Sequence, residues 1–162
     1  LSLKTRDIEI AIANHFGHRQ NIIVPNVSWG AGFNHECDIL IIRPSGAAIE
    51  IEIKISAGDL KRDKDKQHQH NSRFIRQLFF AIPEFMRKYI EHVPEKAGIL
   101  IVKDSGKVET VRPAKINKSF IKMNQNQVTK IAHLGTMRIW SLKEKNRELK
   151  NKLDSLAKKE KA

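Results

Sequence analysis

Cys37-Asp38-Ile39-Leu40-Ile41-Ile42-Arg43-Pro44-Ser45-Gly46-Ala47-Ala48-Ile49-Glu50-Ile51-Glu52-Ile53-Lys54-Ile55 decides how this chain is read. Two apolar runs flank Arg43-Pro44-Ser45-Gly46, a composition suited to a turn. The second run alternates: Ile49, Ile51, Ile53 and Ile55 share one face, and Glu50, Glu52 and Lys54 share the other. Read as a hairpin centred near Ser45, the numbering sets Asp38 across from Glu52, with Lys54 two residues on along the same face. Like charges opposed on a sheet destabilise it. A divalent cation reverses that sign, because hard cations take carboxylate oxygens. Two readings stay open: the solvated side of an edge hairpin, or a metal site with a lysine beside it.

On the N-terminal side, Thr5 to Phe16 carries Ile8, Ile12 and Phe16 at helical spacing, with Thr5 as a candidate N-cap and Gly17 as a stop. Asn21 to Trp29 is β-rich, and Pro25 inside it suits an edge or bulged strand. Gly30-Ala31-Gly32 reads as a loop. On the C-terminal side, Ser56 can cap a basic, polar helix through Leu60, Lys61, Arg62, Lys64 and Lys66. Leu78 to Ile82 reads as a buried strand stopped at Pro83, followed by a short helix over 84–91 and further strands at Gly98 to Val102 and Val108 to Val111. The fold class is therefore α/β: a mixed central sheet flanked by helices, over 1–123, with a basic C-terminal helical extension over 124–162. In that extension Ile139, Leu142, Asn146, Leu149, Leu153 and Leu156 follow 3-4 spacing, a coiled-coil seam with one polar position. Lys143, Lys145, Lys150 and Lys152 would face each other across a homodimer, so the seam is expected to lie against the chain's own body or to fray.

The whole chain has 162 residues, with 30 Lys and Arg against 18 Asp and Glu, a net charge of +12. That excess points to a polyanion, since Lys and Arg displace condensed counterions from phosphates. The single cysteine, Cys37, rules out an intrachain disulfide and fits a reducing compartment. No run approaches the ~18 apolar residues of a membrane span. The start, Leu1-Ser2-Leu3-Lys4, lacks the layout of a signal peptide, and cytoplasm is the default expectation.

Asp38 and Glu52, with the carbonyl of Ile53, form a set able to hold one or two Mg²⁺ ions, which take one or two carboxylates plus phosphate oxygens. Such an ion lowers the pKa of water and neutralises phosphoryl charge. Lys54 beside it can orient water or stabilise negative charge developing on phosphorus. The set suits phosphodiester hydrolysis, and the basic surface suits DNA. Lys61, Arg62, Lys64 and Lys66 could grip flanking phosphates or form a plain solvated face; Arg73 and Arg76 are further phosphate candidates. His68 and His70, with Gln67, could touch the scissile phosphate or metal, but on a polar helix they are expected to be solvated. Zinc at His35 and Cys37 is not expected, for want of further ligands and of a shared face. Trp29 could stack on a base or pack beside the site, but a core role is expected.

The order helix, strand, Asp-bearing strand, Glu-x-Lys strand, helix, strand, with Asp38 and Glu52-Ile53-Lys54, resembles the PD-(D/E)XK nuclease superfamily over roughly Thr5 to Val102. The resemblance implies a restriction-endonuclease-like core. It also implies Mg²⁺ (or Mn²⁺) on Asp38 and Glu52, water assistance by Lys54, and a first-helix carboxylate, Glu9 with Asp7 behind it, joining the metal. Cys37 stands where many members have proline, and no glutamine-tyrosine motif of the RecB-like branch is evident near Gln67 or Gln69. Phe79 to Pro83 and Gly98 to Leu100 are similar to uncharacterised bacterial and phage members assigned to DNA repair. The implied function is a metal-dependent endodeoxyribonuclease in repair, recombination or mobile-element processing. The alternatives are a catalytically silent DNA-binding module of the same fold and a homodimeric resolvase of Holliday-junction type.

Overall fold

The computed structural model describes residues 3–29, 32–33, 35–66 and 70–159. Gly30, Ala31, Gln67, His68, Gln69 and the side chain of Lys64 lie outside the described residues.

Strands β1 (Ile22–Val27) and β2 (Cys37–Ile42) pair antiparallel, as do β2 and β3 (Ala48–Ile53). In the second pair Ile39 opposes Ile51 and Leu40 opposes Glu50, the register expected from the turn's symmetry. The turn closes where the Gly46 N–H donates to the Arg43 carbonyl at 2.8 Å and the Arg43 N–H to the Ala47 carbonyl at 2.9 Å. Gly46 sits at φ +81°, a conformation that needs no Cβ. Pro25 falls in β1, which is an edge strand, where a missing N–H is tolerated.

The sheet has six strands in the order β1-β2-β3-β4-β5-β6, with β4 at Ile75–Pro83, β5 at Gly98–Val102 and β6 at Val108–Arg112. Only β3–β4 and β4–β5 are parallel. Parallel neighbours need crossovers. Helix α2 (Ala57–Arg62) and a 3₁₀ turn at Asp63–Asp65 supply the first, and Glu84–His92 supplies the second. That second segment winds as 3₁₀ rather than α. It is confined between Pro83 and Pro94 and buries only Met86, so little packing opposes the tighter coil.

Helix α1 (Thr5–His15) covers one face, with Ile8 and Ile12 packed on Ile39, Ile41, Ile49, Ile51 and Ile53. Full burial of such a side chain contributes about 1.5–3 kcal/mol. The helix is capped by Lys4 instead of Thr5, and the Asp7 carboxylate accepts from the Lys4 N–H at 2.8 Å. The opposite face carries two apolar clusters. One joins Val24, Leu40 and Ile42 to Ile131 and Leu134, and the other joins Leu60, Phe80, Ile82 and Met86 to Ile99 and Ile101. Glu50, Glu52 and Lys54 lie on this face and belong to neither cluster.

Gly98 opens β5 where a Cβ would lie 2.4 Å from the Phe79 ring and 2.7 Å from the Ala114 backbone nitrogen. Gly98→Ala should therefore cost about 1–3 kcal/mol, read as a lower urea midpoint at unchanged m-value. An unchanged midpoint would show that β5 and the Ala114 segment can separate freely.

Helix α3 (Gln125–Lys159) begins with a capping box, in which the Gln127 N–H donates to Asn124 Oδ1 at 2.9 Å and the Asn124 N–H to Gln127 Oε1 at 3.0 Å. Its first turns bury Ile131 and Leu134 beside β1. From Ile139 to Lys158 every residue is exposed. The seam expected to lie against the chain's own body does not do so, because the helix runs past the end of the surface that β1 offers. Trp29, just beyond β1, is 46% exposed rather than buried. Among the described residues, no helix is long and apolar enough to cross a membrane.

Candidate functional site

The charged face of β3 is not solvated. Glu50, Glu52 and Lys54 are 0%, 3% and 3% exposed, because the β3–β4 crossover folds over them. Ser56 Oγ caps α2 by accepting from the Asp59 N–H at 3.2 Å, which starts the cover one turn past Ile53. Leu60 anchors that cover in the apolar cluster around Phe80. The cover then delivers Asp63, Lys66 and His70 onto the strand.

These groups form one ionic network. Lys54 Nζ and Lys66 Nζ each donate to Glu52 Oε1 at 2.6 Å. Both ammonium groups also approach Asp63 Oδ1, at 3.0 and 2.9 Å, as ion pairs whose angles fall short of hydrogen-bond geometry. His70 spans two carboxylates, with Nδ1 2.8 Å from Glu50 Oε1 and Nε2 3.0 Å from Asp63 Oδ2. His35 Nε2 meets the same Glu50 oxygen at 2.7 Å, while Glu50 Oε2 is buried with no hydrogen-bond partner.

The network sets its own protonation. Burial opposes charge on His70, but bonds to Asp63 and Glu50 outweigh it and push the imidazole up to about 9. Burial likewise works against Asp63 and Glu50. The bond from His70 and the ion pairs with Lys66 and Lys54 hold Asp63 far below the usual carboxylate range, and bonds from His35 and His70 lower Glu50. Lys66 is desolvated too, yet Glu52 and Asp63 keep it firmly charged.

Asp38 behaves differently. Half-buried across from Glu52, it spends Oδ2 on the Ile53 N–H at 2.7 Å. Desolvation and then the Glu52 charge raise its carboxyl to about 6, against weaker help from that N–H, Lys54 and Lys66. A folded pKa above the unfolded value of about 3.9 means that ionised Asp38 costs stability as pH rises through 6. Asp38→Asn keeps an acceptor for the Ile53 N–H and removes the charge. At about pH 8 without divalent ions it should stabilise the fold by about 1–2 kcal/mol, a figure reduced for solvent screening. Urea midpoints should show the gain shrinking towards pH 4; a variant less stable than the parent at pH 8 would overturn this view of Asp38.

The β2–β3 register sets Asp38 opposite Glu52, Lys54 bonds to Glu52, and Ile53 meets Asp38 through its N–H. Glu9 does not join them: it lies half-buried on α1, which covers the other face of the sheet. Among the described residues, two trios have ligand atoms within 4.8 Å of one another, Glu50/Glu52/His70 and His35/Cys37/Glu50; Asp38 belongs to neither. The second corrects the grounds of the expectation at His35 and Cys37, not the expectation that zinc is absent there. Residues two apart share a face, and Glu50 supplies a third donor. Cys37 Sγ lies 3.9 Å from His35 Nε2, but desolvation and then the Glu50 charge push its thiol far up, so it stays protonated.

What the sequence reading misses is the bridge that His70 makes between Glu50 and Asp63: the side chain is buried, not solvated. Glu50 was legible, since it shares the alternation with Glu52 and Lys54. Lys66 is committed to Glu52 and Asp63 and is not a free phosphate contact. Lys61 and Arg62 are exposed, the first 5.6 Å over the Tyr89 ring. Arg73 lies over Phe74 and Arg76 over Phe120, on a groove that runs from His70 past Lys96 and Lys115 with no acidic residue lining it.

No protein-family model and no curated protein matches the chain. Among solved structures it is similar to the SPO1766 protein of unknown function from Silicibacter pomeroyi, with TM-score 0.68 and 22% identity over 90% of this chain and 96% of that one. A likeness at that identity carries the fold alone.

Proposed function

We propose that this chain is a Mg²⁺- or Mn²⁺-dependent endodeoxyribonuclease of the PD-(D/E)XK type. The observation that carries the reading is the hairpin itself: Asp38 opposite Glu52, with Lys54 Nζ 2.6 Å from Glu52. The residues fit a divalent ion. The Glu52 charge raises the cost of ionising Asp38, and among the described residues Glu52 Oε2 lies 4.0 Å from the His70 imidazole. Asp38 and Glu52 would hold the ion, which supplies neutralisation of phosphoryl charge and a more acidic water. Lys54 is held by Glu52 and Asp63, so it can present a proton or positive charge to a phosphate at a fixed place. His70 positions Asp63 and Glu50 rather than touching DNA. Exposed Lys61, Arg62 and Arg73, and the groove past Lys96 and Lys115, offer phosphate contacts.

The test is a panel of duplex, single-stranded, flap, mismatched and four-way-junction DNAs, incubated with Mg²⁺, with Mn²⁺ or with chelator. Cleavage of at least one substrate, dependent on the ion and lost in Asp38→Asn, is expected. Ion-independent cutting, or none on any substrate, would overturn it.

A silent DNA-binding module is the second reading, favoured by Glu52 Oε1 already carrying two ammonium groups. Titration with Mn²⁺ separates the two: binding weakened by Asp38→Asn supports the nuclease, and no binding supports the module.

A further inference from the structure

The seam of α3 is free of the rest of the protein. Ile139, Leu142, Leu149, Leu153 and Leu156 are 50–66% exposed, and Asn146 between them is exposed too. Their spacing is that of a heptad repeat. Ile139, Asn146 and Leu153 occupy one core position, and Leu142, Leu149 and Leu156 the other. β-branched or aliphatic residues at the first position, leucine at the second, and one asparagine at the first are the pattern of a parallel two-stranded coiled coil. A helix with this much apolar stripe gains nothing from solvent.

The flanks choose the partner. Lys143 and Lys150 follow the leucine positions, and Lys145 and Lys152 precede the next core residues. Among the described residues, none of these four lysines is in an ion pair, and Lys143 lies over the Trp140 ring at 5.2 Å. In a parallel pair of identical helices Lys145 would face the other copy's Lys150; antiparallel pairing also sets lysine against lysine. Repulsion of this kind along both flanks disfavours self-pairing. Nearby Glu144, Glu148 and Asp154 fall on the outer side of the helix, away from the seam's edges.

We propose that α3 between Ile139 and Leu156 is the basic half of a parallel heterodimeric coiled coil, whose partner is a helix with acidic residues on both flanks and an asparagine facing Asn146. The inference is independent of the nuclease reading. It gives the body of the protein a tether to a second protein, through a helix whose first turns are built into the core.

The test uses the full chain and three synthetic helices of about three heptads with Ile and Leu cores. One has Glu on both flanks and Asn aligned with Asn146, one has Lys on both flanks, and one has Glu flanks with the Asn moved by a heptad. The first should form a one-to-one complex in sedimentation, about 100-fold tighter than the second, with the gap narrowing as salt is added. The third should bind more weakly than the first. Leu149→Asp, at an exposed position, should abolish binding without moving the melting temperature of the protein alone. Equal affinity for the Glu and Lys helices would overturn the proposal. So would dimerisation of the protein alone through the seam, or uptake of the seam by duplex DNA or anionic vesicles in preference to the Glu helix.

Discussion

Lys54→Met should lower the rate of the proposed metal-dependent DNA cleavage by about 10²–10³-fold while leaving DNA affinity nearly unchanged. The ammonium is 3% exposed and is held by Glu52 at 2.6 Å and Asp63 at 3.0 Å, so it has no surface role in gripping DNA. Methionine keeps most of the stem and removes the charge. Because Lys66 Nζ still neutralises Glu52 and Asp63, the loss of fold stability should stay near about 3 kcal/mol, the low end for a broken buried pair. Single-turnover cleavage and DNA binding in Ca²⁺ would be measured on a preparation whose circular dichroism matches the parent. Cleavage at the parental rate would remove Lys54 from the mechanism. Lys54→Arg provides the internal control: the charge returns on a larger planar group with donors placed differently from the ammonium, so the fold should recover more than the rate.

His70→Ala should be the most destabilising single change in the network, at about 3–5 kcal/mol, with a melting temperature lower by on the order of 10 °C. It leaves Asp63 Oδ2 without its bond and Glu50 dependent on His35 alone. The pH dependence identifies the cause. The folded imidazole titrates near 9, against about 6.5 in the unfolded chain. Its stabilisation is complete below about pH 6.5 and disappears as pH rises through 9. Urea midpoints of the parent should fall across that window, and those of the variant should not. His70 also sits at φ +51°, which asparagine tolerates. His70→Asn should recover part of the backbone cost but not the pH dependence. A parent whose midpoint is flat over the window would refute a charged His70.

The hairpin was legible because two independent signals agree there: the turn at Arg43 to Gly46 fixes the register, and the isoleucine alternation fixes the face. The edge position of β1 followed from Pro25, and the strand at Gly98 to Val102 from a short apolar run. What hid was the cover. His70 reaches Asp63 and Glu50 across 7 and 20 residues of sequence, through a crossover whose path depends on the anchoring of Leu60. No local periodicity encodes such a contact, and a polar helix looks the same whether its carboxylates face water or a buried strand. The heptad of α3 was likewise visible as a pattern, but how far β1 extends beneath it was not.

The double use of one oxygen, Glu52 Oε1, by Lys54 and Lys66 has a kinetic and dosage consequence. On the proposed reading, Lys66 is a tethered counterion at the place a divalent cation would take. An entering ion would have to compete with it, so the affinity observed would be the intrinsic affinity scaled by the fraction of molecules in which Lys66 has let go. Lys66 is carried by the crossover, and its release loosens that segment. On the same proposed reading, ion concentration and the opening of the crossover would therefore be coupled variables, and the protein would carry its own threshold for responding to divalent metal.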